Sequence, residues 1–135
     1  MTRTLLIVIG IACAVMAAAG IMWYNNPLNT ARRQLYDKDT EIRCSAINTL
    51  GKLGDKKSIP EITELLWDDD SEIRWWAIYA LGNIGAKEAI PDITRFLDDA
   101  NPDFRRVAAL TLGKLGAKES IPDIIPMLKD NVWIV

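Results

Sequence analysis

EIRWWAIYALGNIGAKEAIPDITRFL, residues 72–97, decides the fold, because the chain repeats its plan on both sides. Residues 41–66 read EIRCSAINTLGKLGDKKSIPEITELL, and residues 103–128 read DFRRVAALTLGKLGAKESIPDIIPML. The blocks follow one another at a constant period, and an arginine, two glycines and an Ile-Pro pair recur at the same place in each. A repeat of this kind indicates blocks that stack, since one block alone cannot bury its apolar face.

Each block reads as two antiparallel helices. In the first helix of residues 41–66, apolar residues recur at helical spacing and predict a buried stripe. These residues are Ile42, Ala46, Leu50 and Leu53. The second helix continues the stripe with Ile59, Ile62 and Leu66. Leu28 and Leu35 sit one repeat period ahead of Ile59 and Leu66, which predicts an unpaired second helix before the first block.

Glycine and proline mark the ends of the predicted helices. A glycine after each first helix suits a left-handed C-cap position. These glycines are Gly54, Gly85 and Gly116. A proline falls in the first turn of each second helix, where its missing N–H costs nothing. These prolines are Pro60, Pro91 and Pro122.

An uncharged, apolar segment precedes the repeats. Residues 4–24, TLLIVIGIACAVMAAAGIMWY, would span about 31 Å as a helix, which matches the hydrocarbon thickness of a bilayer. Trp23 and Tyr24 suit the headgroup layer, so we expect a single-pass membrane anchor. A signal peptide cleaved after Ala19 is the competing interpretation. The apolar run continues past that site, which favours the retained anchor.

Small residues line one face of the predicted anchor helix. Gly10, Ala14 and Ala18 fall at i, i+4 and i+8, with Cys13 and Ala17 beside them. Such a stripe allows another helix to approach closely, so these residues are candidates for packing within the membrane. Small residues are also frequent in any anchor or signal segment, and this alternative stays open.

The positive charges around the anchor bear on its orientation. Arg3 lies before it, whereas Arg32, Arg33 and Lys38 follow it. Because positive residues prefer the cytoplasmic side, the sequence favours a cytoplasmic repeat region.

The sequence therefore predicts an all-α protein, a short α-solenoid of about three helix pairs preceded by a single transmembrane helix. We divide it into an anchor at 1–26, a linking helix and turn at 27–40, repeats at 41–71, 72–102 and 103–130, and an apolar tail at 131–135.

The motif of the first helices carries a family resemblance. Residues 39–54 follow the pattern Asp-x-x-Ile-Arg-x-x-Ala-x-x-x-Leu-Gly-x-x-Gly, with close copies in the next two blocks. This pattern resembles the short HEAT-like repeat first associated with phycobilisome lyases, over residues 28 to about 130. The resemblance implies a ladder between the acid before each first helix and the arginine within it. Asp39 and Asp70 fit this expectation, whereas Asn101 replaces the third acid.

Composition argues against several classes of function. Lys and Arg total 16 and Asp and Glu total 18, which does not favour a nucleic-acid partner. The chain contains no histidine, so the commonest metal ligand and general base are missing, as are the His-Glu pairs of diiron HEAT-like hydroxylases. Bilin lyases resemble the repeats but are much longer. The sequence predicts no enzyme and no cofactor.

Two features of the sequence could indicate a catalytic or a metal-binding site. Cys44 could act as a nucleophile, but without a base beside it we expect it to pack as a small apolar residue. The acidic run at residues 68–70 lacks the glycine and the distal glutamate of a calcium loop. We interpret it as a solvated turn between repeats, and we predict no catalytic, cofactor-binding or metal-binding residue.

The aromatic residues differ between the repeats. Trp75, Trp76 and Tyr79 occupy positions that the repeat plan does not fix, and Trp67 ends a second helix nearby. Aromatic clusters are enriched at the cores of protein interfaces, so these residues are candidate partner contacts. The alternative is that they fill gaps between neighbouring repeats.

The C-terminal residues are a second candidate contact. Val132, Trp133, Ile134 and Val135 stand where a fourth repeat would begin. A solenoid normally closes with a polar cap. We therefore expect this apolar tail to be covered by a partner, a second copy or lipid.

The sequence thus predicts a non-catalytic accessory or scaffold subunit of an integral-membrane protein complex. Its expected partners are membrane protein subunits and the lipid bilayer, with a homo-oligomer as a further candidate. Two alternatives remain, a cleaved, secreted or periplasmic binding module and a pigment attachment factor akin to bilin lyases.

Overall fold

The computed structural model describes residues 14–16, 18, 20 and 26–125. Helices follow one another along the described part of the chain, and no strand occurs in it. Between residues 26 and 125 the α-helices are α1 Pro27–Gln34, α2 Thr40–Lys52, α3 Ile59–Glu64, α4 Ser71–Ile84, α5 Ile90–Thr94, α6 Pro102–Leu115 and α7 Ile121–Ile124. Short 3₁₀ segments flank the second helices, at Lys56–Ser58, Leu65–Trp67, Lys87–Ala89, Arg95–Asp98 and Lys118–Ser120.

Polar side chains start the long helices and glycines end them. Before α1, α2, α4 and α6, an Asn or Asp oxygen accepts a hydrogen bond of 2.9 Å from the backbone N–H two residues on. Asn101 caps α6 as Asp70 caps α4, because the cap needs only the side-chain oxygen. The predicted left-handed glycines are confirmed, with φ of 65°, 80° and 69° at Gly54, Gly85 and Gly116. The prolines of the second helices also lie in the first turn, as predicted.

One apolar core runs through the stacked helix pairs. The predicted stripe of the second helix is confirmed, since Ile59, Ile62 and Leu66 are buried. Glycines bring the first helices together: a Cβ on Gly51 would lie 3.0 Å from Ala80 Cα, and one on Gly82 would lie 2.8 Å from Thr111 Cγ2. The fully buried larger apolar side chains are Ile47, Leu50, Ile62, Leu66, Ile73, Ile78, Leu81, Ile93 and Leu112.

One predicted core residue is exposed. Leu53 shows 54% of its surface, and Ile47 takes a place in the core instead. The residues equivalent to Leu53 in repeats two and three, Ile84 and Leu115, are buried. Each of those lies in a first helix that follows another first helix, whereas α2 has none before it among the described residues. The prediction for Leu53 was therefore wrong: between residues 26 and 125 only α1 precedes α2, and it leaves Leu53 uncovered.

The expected arginine ladder also takes another form. Arg43 forms an ion pair with Asp68 and donates to the Leu35 carbonyl at 3.2 Å, so its acid is not the helix cap Asp70. Arg74 donates to the backbone carbonyls of Asp68 and Asp69 at 2.7 and 3.0 Å. The cap carboxylate of Asp70 accepts from the Glu72 N–H at 2.9 Å and from Thr40 Oγ1 at 3.1 Å, and both arginines bind the turn before α4 instead, at Asp68 and Asp69.

Helix α1 packs on the first repeat through Ala31 and Leu35, which are 2% and 3% exposed. Arg32 adds a two-pronged ion pair to Asp55, with Nη2 at 2.6 Å from Oδ1 and Nε at 2.7 Å from Oδ2. Ser58 Oγ donates to the same carboxylate at 2.6 Å. Repeats two and three carry Ala86 and Ala117 at the Asp55 position, so this pair is specific to the junction with α1.

The predicted anchor at residues 4–24 lies mostly outside the described residues. Within the part of the chain that the structure does describe, no helix has the length and apolarity to cross a bilayer. Of the predicted packing stripe, Ala14 and Ala18 are helical with exposed side chains, whereas Gly10, Cys13 and Ala17 fall outside the described residues.

Candidate partner-binding groove

Three aromatic rings from α4 form one cluster. Trp75 and Tyr79 are one helical turn apart and stack, with ring centroids at 5.6 Å and an interplanar angle of 14°. Trp76 meets both edge-on, at centroid distances of 5.2 Å to Trp75 and 5.8 Å to Tyr79. Offset-stacked and edge-to-face pairs are the arrangements that aromatic quadrupoles favour, so the rings hold one another in place.

The cluster is half-buried. Each of the three rings packs against the apolar core yet keeps part of its surface open. The rings thus fill space on one side and leave a surface on the other, and the partner contact stays a prediction.

A groove of about 420 Å³ runs between α4 and α6. Trp75 and Tyr79 form its α4 side, and α6 contributes Val107 and Leu110 among others. Leu110 is 61% exposed, which leaves a large apolar side chain at the mouth of the groove. A shallower recess of about 390 Å³ adjoins it and shares Trp75 and Arg106 as lining residues. The groove is largely apolar, whereas the recess also carries Glu72, Asn101 and Asp103.

Two cations stand at the groove. Lys114 Nζ donates to Asn83 Oδ1 at 2.6 Å and lies 5.4 Å from the centre of the Tyr79 ring. Arg106 lies 3.6 Å from Asp103, both side chains being more than half exposed. Leu110, Arg106 and Lys114 are not among the site residues that the sequence predicts. The only signal for Leu110 is its register, one repeat period after Tyr79.

Trp67 belongs to a different stack. The centroid of its ring is 5.6 Å from that of Phe96, which in turn is 5.7 Å from that of Phe104. The Arg95 guanidinium lies over the Trp67 ring, 5.5 Å from its centroid. Trp67 is 53% exposed. The structure thus separates it from the Trp75 cluster, and Phe104, which lines the shallower recess, is the link between the two. Val132, Trp133, Ile134 and Val135 lie outside the described residues.

Cys44 is buried, as predicted. Burial raises the pKa of its thiol to about 11, and the nearby carboxylates of Glu72 and Asp70 act in the same direction. The thiol is therefore protonated at neutral pH and a poor nucleophile. Among residues 26–125 and the few described before them, no three His, Cys, Asp or Glu side chains are placed to hold a metal ion.

Helix pairs stacked in register on one continuous core define a short α-solenoid. Its repeats are of a known kind: residues 11–81 and 68–135 match the family model for HEAT repeats. Because these matches cover more than half of the chain, the protein belongs to the HEAT-repeat family. None of the curated proteins compared with the chain matches it.

Proposed function

We propose that this protein is a non-catalytic accessory or scaffold subunit of an integral-membrane protein complex. HEAT repeats are protein-interaction scaffolds in general, and here the groove between α4 and α6 is the contact surface. The observation that carries the proposal is an apolar surface built from the half-buried Trp75 and Tyr79 and the exposed Leu110. Contiguous apolar surface of this kind is typical of protein contacts, because water is released when it is covered.

The membrane part of the proposal rests on the sequence. Residues 4–24 carry no charge over 21 positions, and a small-residue face at Gly10, Ala14 and Ala18 suits a neighbouring helix. Arg32, Arg33 and Lys38 favour a cytoplasmic repeat region. The tail at residues 132–135 and Trp67 are further candidate contacts, and a second copy of the chain is a candidate occupant. The same proposal includes the lyase-type form of the HEAT-like repeat, which the motif at residues 39–54 resembles.

The groove is tested with a pair of matched leucine variants. Leu110→Asn removes the apolar mouth of the groove, whereas Leu53→Asn changes an equally exposed leucine that does not line it. Because both side chains are exposed, we expect the free energy of unfolding of each variant to lie within about 0.5 kcal/mol of the wild-type value. Tagged full-length proteins are purified from native membranes, and co-purifying chains are quantified by mass spectrometry. Loss of partners from Leu110→Asn alone supports the groove, and equal retention by both variants removes it from the proposal.

The anchor is tested by charge. Replacing Leu6 and Val15 with arginine should release the protein from membranes. A charge at Val15, near the centre of residues 4–24, costs about 2.5 to 3.5 kcal/mol, and a charge at Leu6 shortens the uncharged run below the length of a span. Leu6→Ile with Val15→Ile is the matched control. The readout is the fraction that stays with the membrane pellet after an alkaline wash. Wild-type protein that washes off under the same conditions would contradict the membrane part of the proposal.

A further inference from the structure

We infer that the groove between α4 and α6 binds an extended acidic segment of a partner protein, with one apolar side chain flanked by two carboxylates. This inference rests on the proposed function and adds the chemistry of the partner. It is carried by Arg106 and Lys114, the two cations that line the groove beside its aromatic wall.

Both cations can pair with a carboxylate of a partner. Lys114 is held by a neutral amide and an aromatic face, and no carboxylate among the described residues pairs with it. Arg106 reaches Asp103 at 3.6 Å, a pair in which both side chains are more than half exposed. Exposed pairs of this kind contribute little, so an incoming carboxylate can replace Asp103.

The charge of the groove is one-sided. The described residues that line the groove include two cations, Arg106 and Lys114, and no acid. Glu72 and Asp103 line the adjoining recess instead. An acidic segment is thus attracted to the groove as far as Arg106, and Glu72 and Asp103 disfavour its extension into the recess beyond that residue.

The spacing of the cations defines the motif. Arg106 and Lys114 are eight residues apart on α6, which corresponds to about 12 Å at 1.5 Å per residue. In an extended chain, residues i and i+4 are about 13 Å apart, and i, i+2 and i+4 point to the same side. Carboxylates at i and i+4 therefore match the cations, and an apolar residue at i+2 faces Val107 and Leu110.

A fatty acid is the competing occupant, since it also joins an apolar body to a carboxylate. It has a single carboxylate, however, and the groove presents two cations. A protein segment uses both, and for this reason we favour it.

The test uses a synthetic peptide with a central leucine, glutamates two residues before and two after it, and serines elsewhere. It is titrated into the full-length ¹⁵N-labelled protein in uncharged detergent micelles, and the indole N–H resonance of Trp75 reports binding at the groove. Three probes serve as comparisons: a peptide with lysines for the glutamates, a peptide of the same composition with adjacent glutamates, and palmitate.

The expected result is a shift of the Trp75 indole resonance during the titration. Its midpoint should lie at a roughly tenfold higher peptide concentration for the lysine and adjacent-glutamate peptides. Arg106→Glu with Lys114→Glu should reverse the preference, so that the lysine peptide binds best. Lys87→Glu with Lys118→Glu, the same change of charge at exposed sites outside the groove, should change nothing. Equal binding of all peptides, equal effects of the two double variants, or preferred binding of palmitate would overturn the inference.

The two proposals fail in different ways. If Leu110→Asn loses its partners while the peptides show no charge preference, the groove remains a contact surface and only the acidic motif is wrong. If Leu110→Asn keeps its partners, the contact surface itself is wrong and the motif falls with it.

Discussion

Helix α1 is fixed to the first repeat by the pair between Arg32 and Asp55, and we expect Asp55→Ala to loosen it. This substitution introduces the residue that repeats two and three carry at the same position. It removes the partner of two charged hydrogen bonds of 2.6 and 2.7 Å and leaves the buried Ser58 hydroxyl without its acceptor.

The magnitude follows from the burial of the two partners. Breaking a buried ion pair costs about 3 to 5 kcal/mol, because the remaining charge stays buried and unpaired. The Arg32 side chain is 32% exposed and that of Asp55 5%, so water reaches the arginine after the change. We therefore expect a loss near the strength of charged hydrogen bonds, about 2 to 3 kcal/mol.

Hydrogen exchange measures this loss locally. In a stacked array the terminal element can open by itself, so the effect should appear in α1 and not in α4 to α6. The amide of Leu35, which donates to the Ala31 carbonyl at 3.2 Å, should exchange about 30 to 140 times faster. Glu88→Ala, at an exposed site in the Lys87–Ala89 segment, is the control and should leave exchange unchanged. Unchanged protection at Leu35, or an equal loss in α6, would refute the reasoning.

The same pair makes the docking of α1 sensitive to acid. The hydrogen bond from Arg32 lowers the pKa of Asp55, outweighing the opposing effect of burial. A carboxyl whose folded-state pKa is lowered stabilises the fold fully above its unfolded pKa, near 3.9, and loses this contribution as pH falls through the lower folded value. The difference in Leu35 exchange between wild type and Asp55→Ala should therefore begin to shrink below about pH 4 and vanish only when the pH is below the lowered folded-state pKa of Asp55. A difference that persists there would assign the effect to packing instead of charge.

Two further predictions concern the packing of the first helices, and thermal melts followed by circular dichroism check both. Leu81→Ala should cost about 2 to 5 kcal/mol, because Leu81 is fully buried, whereas Lys87→Ala in the loop should change stability by less than about 0.5 kcal/mol; equal shifts would contradict the packing. Gly82→Ala should cost about 1 to 3 kcal/mol through its clash with Thr111, whereas Gly113→Ala, which meets no described atom within 4 Å, should gain up to about 1 kcal/mol. A loss at Gly113 would show that its surroundings are filled.

Much of the helix geometry could be predicted because it depends on local backbone chemistry. A glycine at a left-handed position and a proline in a first turn act within a few residues, so Gly85 and Pro91 mark their positions without any knowledge of the neighbours. Their recurrence at the same place in every block then predicts stacking.

The predictions that failed depended on neighbours. Leu53 has the same spacing as Ile84, and only the absence of a described first helix before α2 separates an exposed residue from a buried one. Arg43 pairs with the carboxylate of Asp68. The path of the turn between the repeats decides this pairing, and the spacing of the sequence does not predict that path.

The groove was predictable only in part, for a related reason. Trp75 and Tyr79 were recognised because they break the repeat plan on one helix. Their counterpart is Leu110, an ordinary residue for a helix, whose importance comes only from lying opposite them on α6.

The position shared by Asn48, Tyr79 and Leu110 shows why a repeat array can acquire such a surface. These residues stand at equivalent places in the three first helices, outside the fully buried core, and they differ in size and polarity. A change at Leu110, which is 61% exposed, alters the surface of the array without removing the contacts that stack it, so substitutions there should leave stability nearly unchanged. The first helices thus combine a shared inner face that specifies the fold with an outer position whose residue varies between the repeats.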